Sequence, residues 1–239
     1  MVKNIVVIGS SGAIGRAFVE QLSSLHRGAN ILAFARSQNE VVKDNVVYHP
    51  INYDNEKSIE RAALMLPSHE YIDLVIVATG LLHDKDIMPE KSLQDISFDK
   101  FIHLFTSNTI LPALIAKYFL RRMPKNKKAV FAVLSARVGS ITDNQLGGWY
   151  SYRASKASLN MVIKNYAIEM KRSHKESIVI GLHPGTVDSE LSKPFQANIP
   201  EGKLFTAEFA VTKLIDVINS LTPSDSGKCF AWDGKEVLP

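Results

Sequence analysis

Short apolar runs recur along the chain, and most of them lack the alternation of apolar and polar residues that marks a half-exposed strand. Runs of this kind predict strands that are covered on both faces, as in a parallel sheet. Seven runs have this character: Asn4–Gly9, Asn30–Ala35, Val46–His49, Leu74–Gly80, Ala129–Ser135, Ser177–His183 and Cys229–Trp232.

Helical patterns separate these runs. The predicted helices include Ala13–Leu25, Glu56–Leu66, Ile110–Met123, Ala154–Met170 and Ala207–Ser220. Alternation of strands and helices predicts an α/β fold with a doubly wound, seven-stranded parallel sheet and helices on both faces. We expect one domain over residues 1–239, without repeats or a linker. In such sheets ligands bind beyond the carboxyl ends of the strands, so the residues that follow each strand are the candidates for function.

Composition narrows the class of protein. The 239 residues are 46% hydrophobic and 22% charged, which is ordinary for a globular domain, and the net charge is +4. The basic residues are scattered except at Lys125–Lys128, so we expect no nucleic-acid partner. The single cysteine, Cys229, excludes an internal disulfide, and the histidines form no ligand cluster, so we expect no metal. No apolar run is long enough for a signal sequence or a membrane span, and we expect a cytoplasmic protein without a membrane partner.

Three glycines follow the first strand at three-residue steps and open the first helix. Gly9 would make a tight turn, Gly12 would let the backbone approach a pyrophosphate, and Gly15 would let the helix pack against the sheet. The helix N-terminus offers free N–H groups to phosphates, although a plain turn between strand and helix has the same pattern. The residues expected to bind a dinucleotide here are Gly9, Ser11, Gly12, Ala13 and Ile14.

The second strand ends in Arg36 and Ser37, where an NAD(H) site would place a carboxylate. Because a guanidinium binds a 2′-phosphate as a fork, this end favours NADP(H) over NAD(H). A solvated surface arginine is the other interpretation. After the third strand, Asn52 is a candidate for the adenine edge or an ordinary polar loop residue.

Tyr152 and Lys156 are four residues apart and share one face of a helix. A cation about 4 Å from a phenol at an effective dielectric of about 20 favours the phenolate by roughly 4 kcal/mol. That would lower the tyrosine pKa by as much as about three units. The pair therefore suits proton donation to a carbonyl, although many helices carry such a pair on their surface. Tyr150 would point elsewhere and is expected to be a packing or substrate-wall residue.

Asn108 and Ser135 are two further candidates for the functional site. Because Pro112 has no N–H, the main-chain carbonyl of Asn108 should lack its helical hydrogen bond, and the helix should kink there. A bent helix of the core, without a function for this carbonyl, would show the same pattern. Ser135 ends the fifth strand, where it would bond a substrate carbonyl or cap the following turn.

Together these segments resemble the short-chain dehydrogenase/reductase family over essentially the whole chain. The matching blocks, in order, are GSSGAIG from Gly9, VATG from Val77, SN at Ser107–Asn108, LSARVGSI from Leu134, YRASK from Tyr152 and HPGTVDSE from His183. The segment 135–160 and the tail CFAWDGKEVLP look most like the C-factor-like subgroup, which is linked with cell–cell signalling. The resemblance implies a Rossmann-type fold.

The resemblance also implies roles. Tyr152 would be the general acid–base, Lys156 would lower its pKa and bind the nicotinamide ribose, and the Asn108 carbonyl would hold a water. The segments expected to border the cofactor are Ala78, Thr79 and Gly80, and Pro184, Gly185 and Thr186. Thr79 departs from the family's asparagine-alanine-glycine block. The family's catalytic serine falls at Ala136, so Ser135 or Ser140 would have to fill that role.

We therefore expect an NADP(H)-dependent enzyme that reduces a carbonyl, or oxidises an alcohol, of a small and modestly apolar substrate. Residues 187–206 should form a mobile lid, and family habit together with apolar residues on several faces of the helix Ala154–Met170 favours a homodimer or homotetramer. A non-catalytic nucleotide-sensing or signalling protein on the same fold is the alternative. A nucleotide-sugar epimerase would need a larger carboxyl-terminal substrate domain.

Overall fold

A computed structural model describes residues 2–37 and 43–239. Its main sheet has seven parallel strands in the order β3-β2-β1-β4-β5-β6-β9, which confirms the predicted fold class. β7 and β8 are two-residue strands that pair with each other. The strands are β1 Asn4–Ile8, β2 Asn30–Ala35, β3 Val46–Pro50, β4 Leu74–Val77, β5 Ala129–Leu134, β6 Ser177–His183, β7 Thr186–Val187, β8 Leu204–Phe205 and β9 Cys229–Ala231.

The described residues form six α-helices, five of which cover the two faces of this sheet. They are α1 Ala13–Leu25, α2 Glu56–Ala63, α3 Phe98–Phe105, α4 Leu111–Phe119, α5 Tyr150–Met170 and α6 Ala207–Ser220. α1 and α6 contribute to the core on one face, and α2, α4 and α5 contribute to the core on the other. The helix layers on both faces explain why the strands carry few polar residues.

Successive residues of one strand enter opposite cores. Ile5 and Val7 of β1 pack with α1 and α6, whereas Val6 and Ile8 pack with α2, α4 and α5. The parallel register places Val6 beside Leu32 of β2 on one side and beside Val75 of β4 on the other. β1 is thus buried on both faces and paired along both edges.

The strand order reverses next to β1, which pairs with β2 on one side and with β4 on the other. Loops that leave the carboxyl ends of β1 and β4 therefore diverge and open a crevice, the usual ligand position in such sheets. The strand predicted to reach Gly80 ends at Val77, so the three following residues belong to the crevice loop.

The starts of two helices differ from prediction, and the helices predicted over 56–66 and 110–123 end earlier, at Ala63 and Phe119. α5 begins at Tyr150 rather than Ala154, which places Tyr152 inside the helix. The helix predicted to start at Ile110 continues from α3, which was not predicted, through a π-helical turn over Thr106–Ile110. Pro112 removes one N–H from this stretch, and a wider turn is one way in which a helix accommodates that loss.

Candidate active site

The loop after β1 is open at one glycine and tightly packed at the other two. A methyl group on Gly9 would come within 2.8 Å of the carbonyl carbon of Ala78, and one on Gly15 would overlap the carbonyl oxygen of Gly9. A methyl group on Gly12 would meet nothing closer than 3.6 Å. Gly9 and Gly15 therefore bring loop, helix and sheet together, and Gly12 faces open space.

The N-terminus of α1 faces this space. Gly12 is its N-cap residue, no side chain caps it, and its first turn contains no acidic residue. The positive end of a 13-residue helix thus points into a cradle without a protein anion. This arrangement fits the pyrophosphate of a dinucleotide.

Arg36 lies at the exposed end of β2, close to Tyr53. Burial raises the pKa of the Tyr53 phenol to about 12, and the Arg36 guanidinium acts in the opposite direction. The Tyr53 hydroxyl is enclosed and lies beside the Gly9 main chain, which acts on its pKa in the same direction as Arg36. A positive side chain and an enclosed hydroxyl therefore share the corner where the sequence predicted a 2′-phosphate, and Tyr53 was missed because nothing local marks it.

The Asn52 side chain is engaged in a turn. Its Oδ1 accepts a hydrogen bond of 3.0 Å from the Asp54 amide, which is the geometry of an ordinary polar loop residue. Ser37 is exposed beyond β2, as Arg36 is. These contacts supply no independent argument for adenine recognition by Asn52.

Beyond β4, Ala78, Thr79 and Gly80 form the opposite wall of the crevice. The Thr79 hydroxyl is enclosed and unpartnered, as expected of a group that lines a ligand site. A methyl group on Gly80 would lie 3.5 Å from Lys156 Nζ and 3.7 Å from Asn108 Oδ1. Gly80 therefore lies where the β4 loop, the π turn and α5 converge.

Tyr152 and Lys156 lie together on α5 and are only 8% and 3% exposed. The Lys156 ammonium is 5.9 Å from the centre of the Tyr152 ring and donates a 2.9 Å hydrogen bond to the Leu134 carbonyl. The structure therefore brings the predicted pair together, and it is buried rather than a surface pair.

The predicted lowering of the Tyr152 pKa is wrong for this arrangement. Burial raises the pKa of the Tyr152 phenol to about 12 and lowers the pKa of the Lys156 ammonium to about 8. Desolvation penalises both charged forms, and the hydrogen bond of the ammonium goes to a main-chain carbonyl.

Asn108 is fully buried in the π turn, and its side chain ties three segments together. Its Oδ1 accepts from the Leu81 amide at 2.8 Å, while its Nδ2 donates to the Leu81 carbonyl at 2.8 Å and to Ser155 Oγ at 3.1 Å. Next to it, Thr109 Oγ1 donates to the Ser155 carbonyl at 2.8 Å. The sequence pointed to the Asn108 carbonyl, but the side-chain contacts are the ones that lock the π turn to α5.

The two candidate serines differ in how their hydroxyls are used. Ser135 Oγ donates a 2.6 Å bond to Asn160 Oδ1, so its proton is engaged within the protein. Ser140 Oγ accepts from the Asp143 amide at 3.0 Å, which leaves its own proton available. Ser140 follows Gly139, where a methyl group would lie 2.8 Å from the Lys156 carbonyl carbon, so Ser140 is adjacent to a segment packed against α5.

The turn after β6 is built around Gly185, with φ of +78°. A methyl group there would lie 2.6 Å from the Phe205 ring and 3.1 Å from the Trp232 ring. Pro184 and Thr186 flank it at the end of β6 and in β7. The predicted nicotinamide border is thus a tight turn against an aromatic pair.

The start of α5 carries a feature that the sequence analysis did not single out. Trp149, its N-cap residue, has φ of +49°, the one positive φ outside glycine in the described chain. Its amide donates to the Glu90 carbonyl at 2.6 Å, and one oxygen of the buried Glu90 carboxylate accepts from the Ser151 amide at 3.3 Å. The pair Gly147–Gly148 before a tryptophan was the local signal of this unusual entry.

The described residues contain no group of three or more histidine, cysteine, aspartate or glutamate side chains arranged to hold a metal ion. They also contain no helix with the length and hydropathy needed to traverse a lipid bilayer.

The chain is similar to known dehydrogenases and reductases. The chain is 28% identical, over 96% of both chains, to a 1-hydroxy-2-glutathionyl-2-methyl-3-butene dehydrogenase from Rhodococcus sp. (strain AD45). It is 30% identical to C-signal from Myxococcus xanthus over 61% of this chain and 82% of that protein. A carbonyl reductase from chicken fatty liver, solved with NADPH bound, superposes with a TM-score of 0.85 at 23% identity, covering all of this chain and 94% of that one.

The family model for short chain dehydrogenases matches residues 3–200, which span the glycine loop, the β4 loop, the Tyr152–Lys156 pair and the turn after β6. The chain therefore belongs to the short-chain dehydrogenase family of oxidoreductases.

Proposed function

We propose that this protein is an NADP(H)-dependent carbonyl reductase, or alcohol dehydrogenase in the reverse direction, in which Tyr152 is the general acid–base. One observation carries the proposal. Tyr152 and Lys156 are both buried and lie one turn apart on α5, and the Lys156 ammonium lies beside Gly80 in the loop that follows β4. A buried phenol and ammonium in a ligand crevice are costly to stability, which favours a functional role.

The nicotinamide, when bound, supplies or accepts the hydride of the reaction. The chain's own residues hold and protonate the substrate. Tyr152 donates its phenolic proton to the carbonyl oxygen as that oxygen becomes an alcohol, and Lys156 stabilises the phenolate that is left. Asn108 keeps the β4 loop and α5 in register through its three side-chain hydrogen bonds.

The serine role is better served by Ser140 than by Ser135. A hydroxyl that polarises a carbonyl must donate to it, and the Ser135 proton is already given to Asn160. The Ser140 oxygen accepts from the Asp143 amide, so its proton remains free for the substrate. We therefore assign Ser140 to the position that Ala136 leaves vacant.

The cofactor preference is assigned to Arg36. Its guanidinium is exposed at the end of β2 and forms no ion pair with a described carboxylate. The chicken carbonyl reductase with the same fold binds NADPH, in agreement with this assignment.

Titration of NADPH and NADH against the wild type and Arg36→Glu tests the role of Arg36. NADPH should bind more tightly by tenfold or more in the wild type, and the substitution should remove that preference; tighter NADH binding by the wild type would contradict it.

The surroundings support a small apolar substrate. The side chains around Tyr152 are apolar. The segment 187–206, with its short 3-10 helix at Lys193–Asn198, is proposed to act as the lid of a single domain.

Exposed apolar residues on α5, Met161 and Ile168, support a homo-oligomer. Oxidation of NADPH by a panel of aldehydes and ketones would establish the activity.

A signalling protein of the C-factor-like subgroup is the second candidate, and the identity with C-signal favours it. The two proposals differ in turnover. A non-catalytic sensor would bind the dinucleotide without oxidising it in the presence of any carbonyl in the panel.

A further inference from the structure

We propose that the substrate is an aryl carbonyl compound, whose ring binds against the indole of Trp149. The inference rests on the proposed function, since it adds a substrate class to the same site. Its basis is a row of aromatic rings that leads away from the proposed acid, together with the strained backbone that holds one of them there.

Four rings from three segments form this aromatic row, defined as Tyr152, Trp149, Phe195 and His83. Trp149 packs edge-on against Tyr152 with 6.1 Å between ring centres and tilted against Phe195 at 5.0 Å. Phe195 packs edge-on against His83 at 5.6 Å. The row therefore joins the start of α5, the segment after β7 and the loop after β4.

The aromatic row lies in an apolar cluster separate from the two cores beside the sheet. Leu82, Leu104 and Tyr152 are its buried members, while Trp149 and Phe195 are only partly buried. A wall of partly buried rings around one buried hydroxyl is typical of a ligand site that receives an apolar group bearing a polar atom.

The strained backbone at Trp149 indicates that the position of its indole has a function. Gly147 and Gly148 both have φ of +63°, and Trp149 continues the left-handed conformation at +49°. Glycine adopts this conformation freely, whereas a tryptophan there is strained. The indole provides no capping hydrogen bond to α5. The Glu90 carbonyl fixes the Trp149 amide at 2.6 Å, so the ring is held beside Tyr152 despite the strain.

Phe195 occupies the face of Trp149 that an aryl ring would use. A separation of 5.0 Å between the Trp149 and Phe195 ring centres leaves no room for a third ring between them. Phe195 lies on the short 3-10 helix, and just before that helix His83 of the β4 loop donates from Nε2 to the carbonyls of Glu190 and Leu191, at 3.2 and 3.1 Å. An entering aryl ring replaces Phe195 on the indole, and Phe195 then covers it.

Benzaldehyde and cyclohexanecarboxaldehyde test this, because they share a carbon skeleton and differ in aromaticity. In Trp149→Leu the ratio of kcat/KM for the two aldehydes should fall about fivefold toward the cyclohexyl substrate. Trp149→Gly, which suits the left-handed backbone, should behave alike. Phe101→Leu, which disrupts the ring pair Phe101–Phe105 on α3, should leave the ratio unchanged. An unchanged ratio in both Trp149 variants overturns the inference.

A binding measurement keeps the inference separate from the proposed function. The chain has two tryptophans, so the emission of Trp149→Leu comes from Trp232 alone. Benzyl alcohol should change the emission of the wild type and leave that of Trp149→Leu unaffected. An equal response in both proteins overturns the inference. Failure of the wild type to reduce either aldehyde would instead count against the reductase, while the emission experiment would still decide where the aryl ring binds.

Discussion

Lys156 and Tyr152 show how strongly burial acts on single residues in this protein. Neither group is solvated well enough to ionise at its usual pKa, and the phenol pKa is raised to about 12 where the sequence alone predicted a lower value. Spacing along a helix predicts that two side chains share a face. It does not predict that the ammonium bonds the carbonyl of Leu134, because that contact depends on how α5 packs against β5.

The buried ammonium predicts a distinctive pH dependence of stability. Burial lowers the pKa of Lys156 from 10.5 to about 8. Below about pH 8 the folded and unfolded chains both hold the proton, and the folded state bears a cost of about 3 kcal/mol at about 1.36 kcal/mol per pKa unit. Between that pH and the unfolded pKa only the unfolded chain holds it, so the wild type gains stability as pH rises.

Lys156→Met lacks this titration. Its advantage in the free energy of unfolding over the wild type should therefore shrink by about 2 kcal/mol between about pH 7.5 and about pH 9.5. Urea unfolding of both proteins across that range measures the difference, in which the titration of Tyr152 cancels. A difference that stays constant with pH would show that the ammonium is not desolvated.

Among the elements, the strands and the starts of α1, α2 and α6 were predictable, whereas α3 and the start of α5 were not. The seven apolar runs became seven strands because burial on both faces leaves little room for polar residues. α5 was predicted four residues late, since Gly147–Gly148–Trp149 looks like a loop although its left-handed turn leads directly into the helix. The enclosed hydroxyl of Tyr53 and the pairing of Glu90 with α5 arise from segments distant in sequence, which local patterns do not report.

Two similar substitutions in the turn between β1 and α1 should differ in whether they reduce stability or the affinity for NADPH. Gly12→Ala meets no obstacle within the protein, so its free energy of unfolding should change by no more than about 1 kcal/mol. Because the new methyl group enters the proposed phosphate cradle, Kd for NADPH should rise about tenfold or more.

Gly15→Ala should mainly reduce the stability of the protein. Its methyl group overlaps the Gly9 carbonyl, so the helix must shift, and stability should fall by about 2 kcal/mol. Urea unfolding and calorimetric titration with NADPH separate the two effects. Equal loss of stability in both variants would mean that Gly12 is a packing residue and not the floor of a cofactor site.

At the scale of the whole molecule, both faces of the sheet are covered, yet α5 still exposes large apolar side chains. Met161 is 62% exposed and Ile168 is 50% exposed. A homo-oligomer that buries this face predicts that Met161→Glu converts the assembly to a 26.5 kDa monomer, because a carboxylate in an apolar interface loses its solvation. Size-exclusion chromatography with light scattering measures the mass.

Met65→Glu is the matched control for that experiment. Met65 is 45% exposed and follows α2, away from α5 in sequence, so its replacement should leave the assembly intact. A monomeric wild type, or a Met161→Glu protein with the mass of the wild type, would remove α5 from the interface.

The central claim, that the Tyr152 phenol supplies the proton, is tested most directly by kcat/KM for NADPH-dependent aldehyde reduction in Tyr152→Phe beside Tyr150→Phe. The first variant loses only the hydroxyl of the proposed acid, and the second loses a hydroxyl two residues away on the same helix. We predict a fall of about 10²–10⁴-fold for Tyr152→Phe with NADPH affinity retained, and a change of less than about threefold for Tyr150→Phe. Wild-type turnover by Tyr152→Phe would contradict the account.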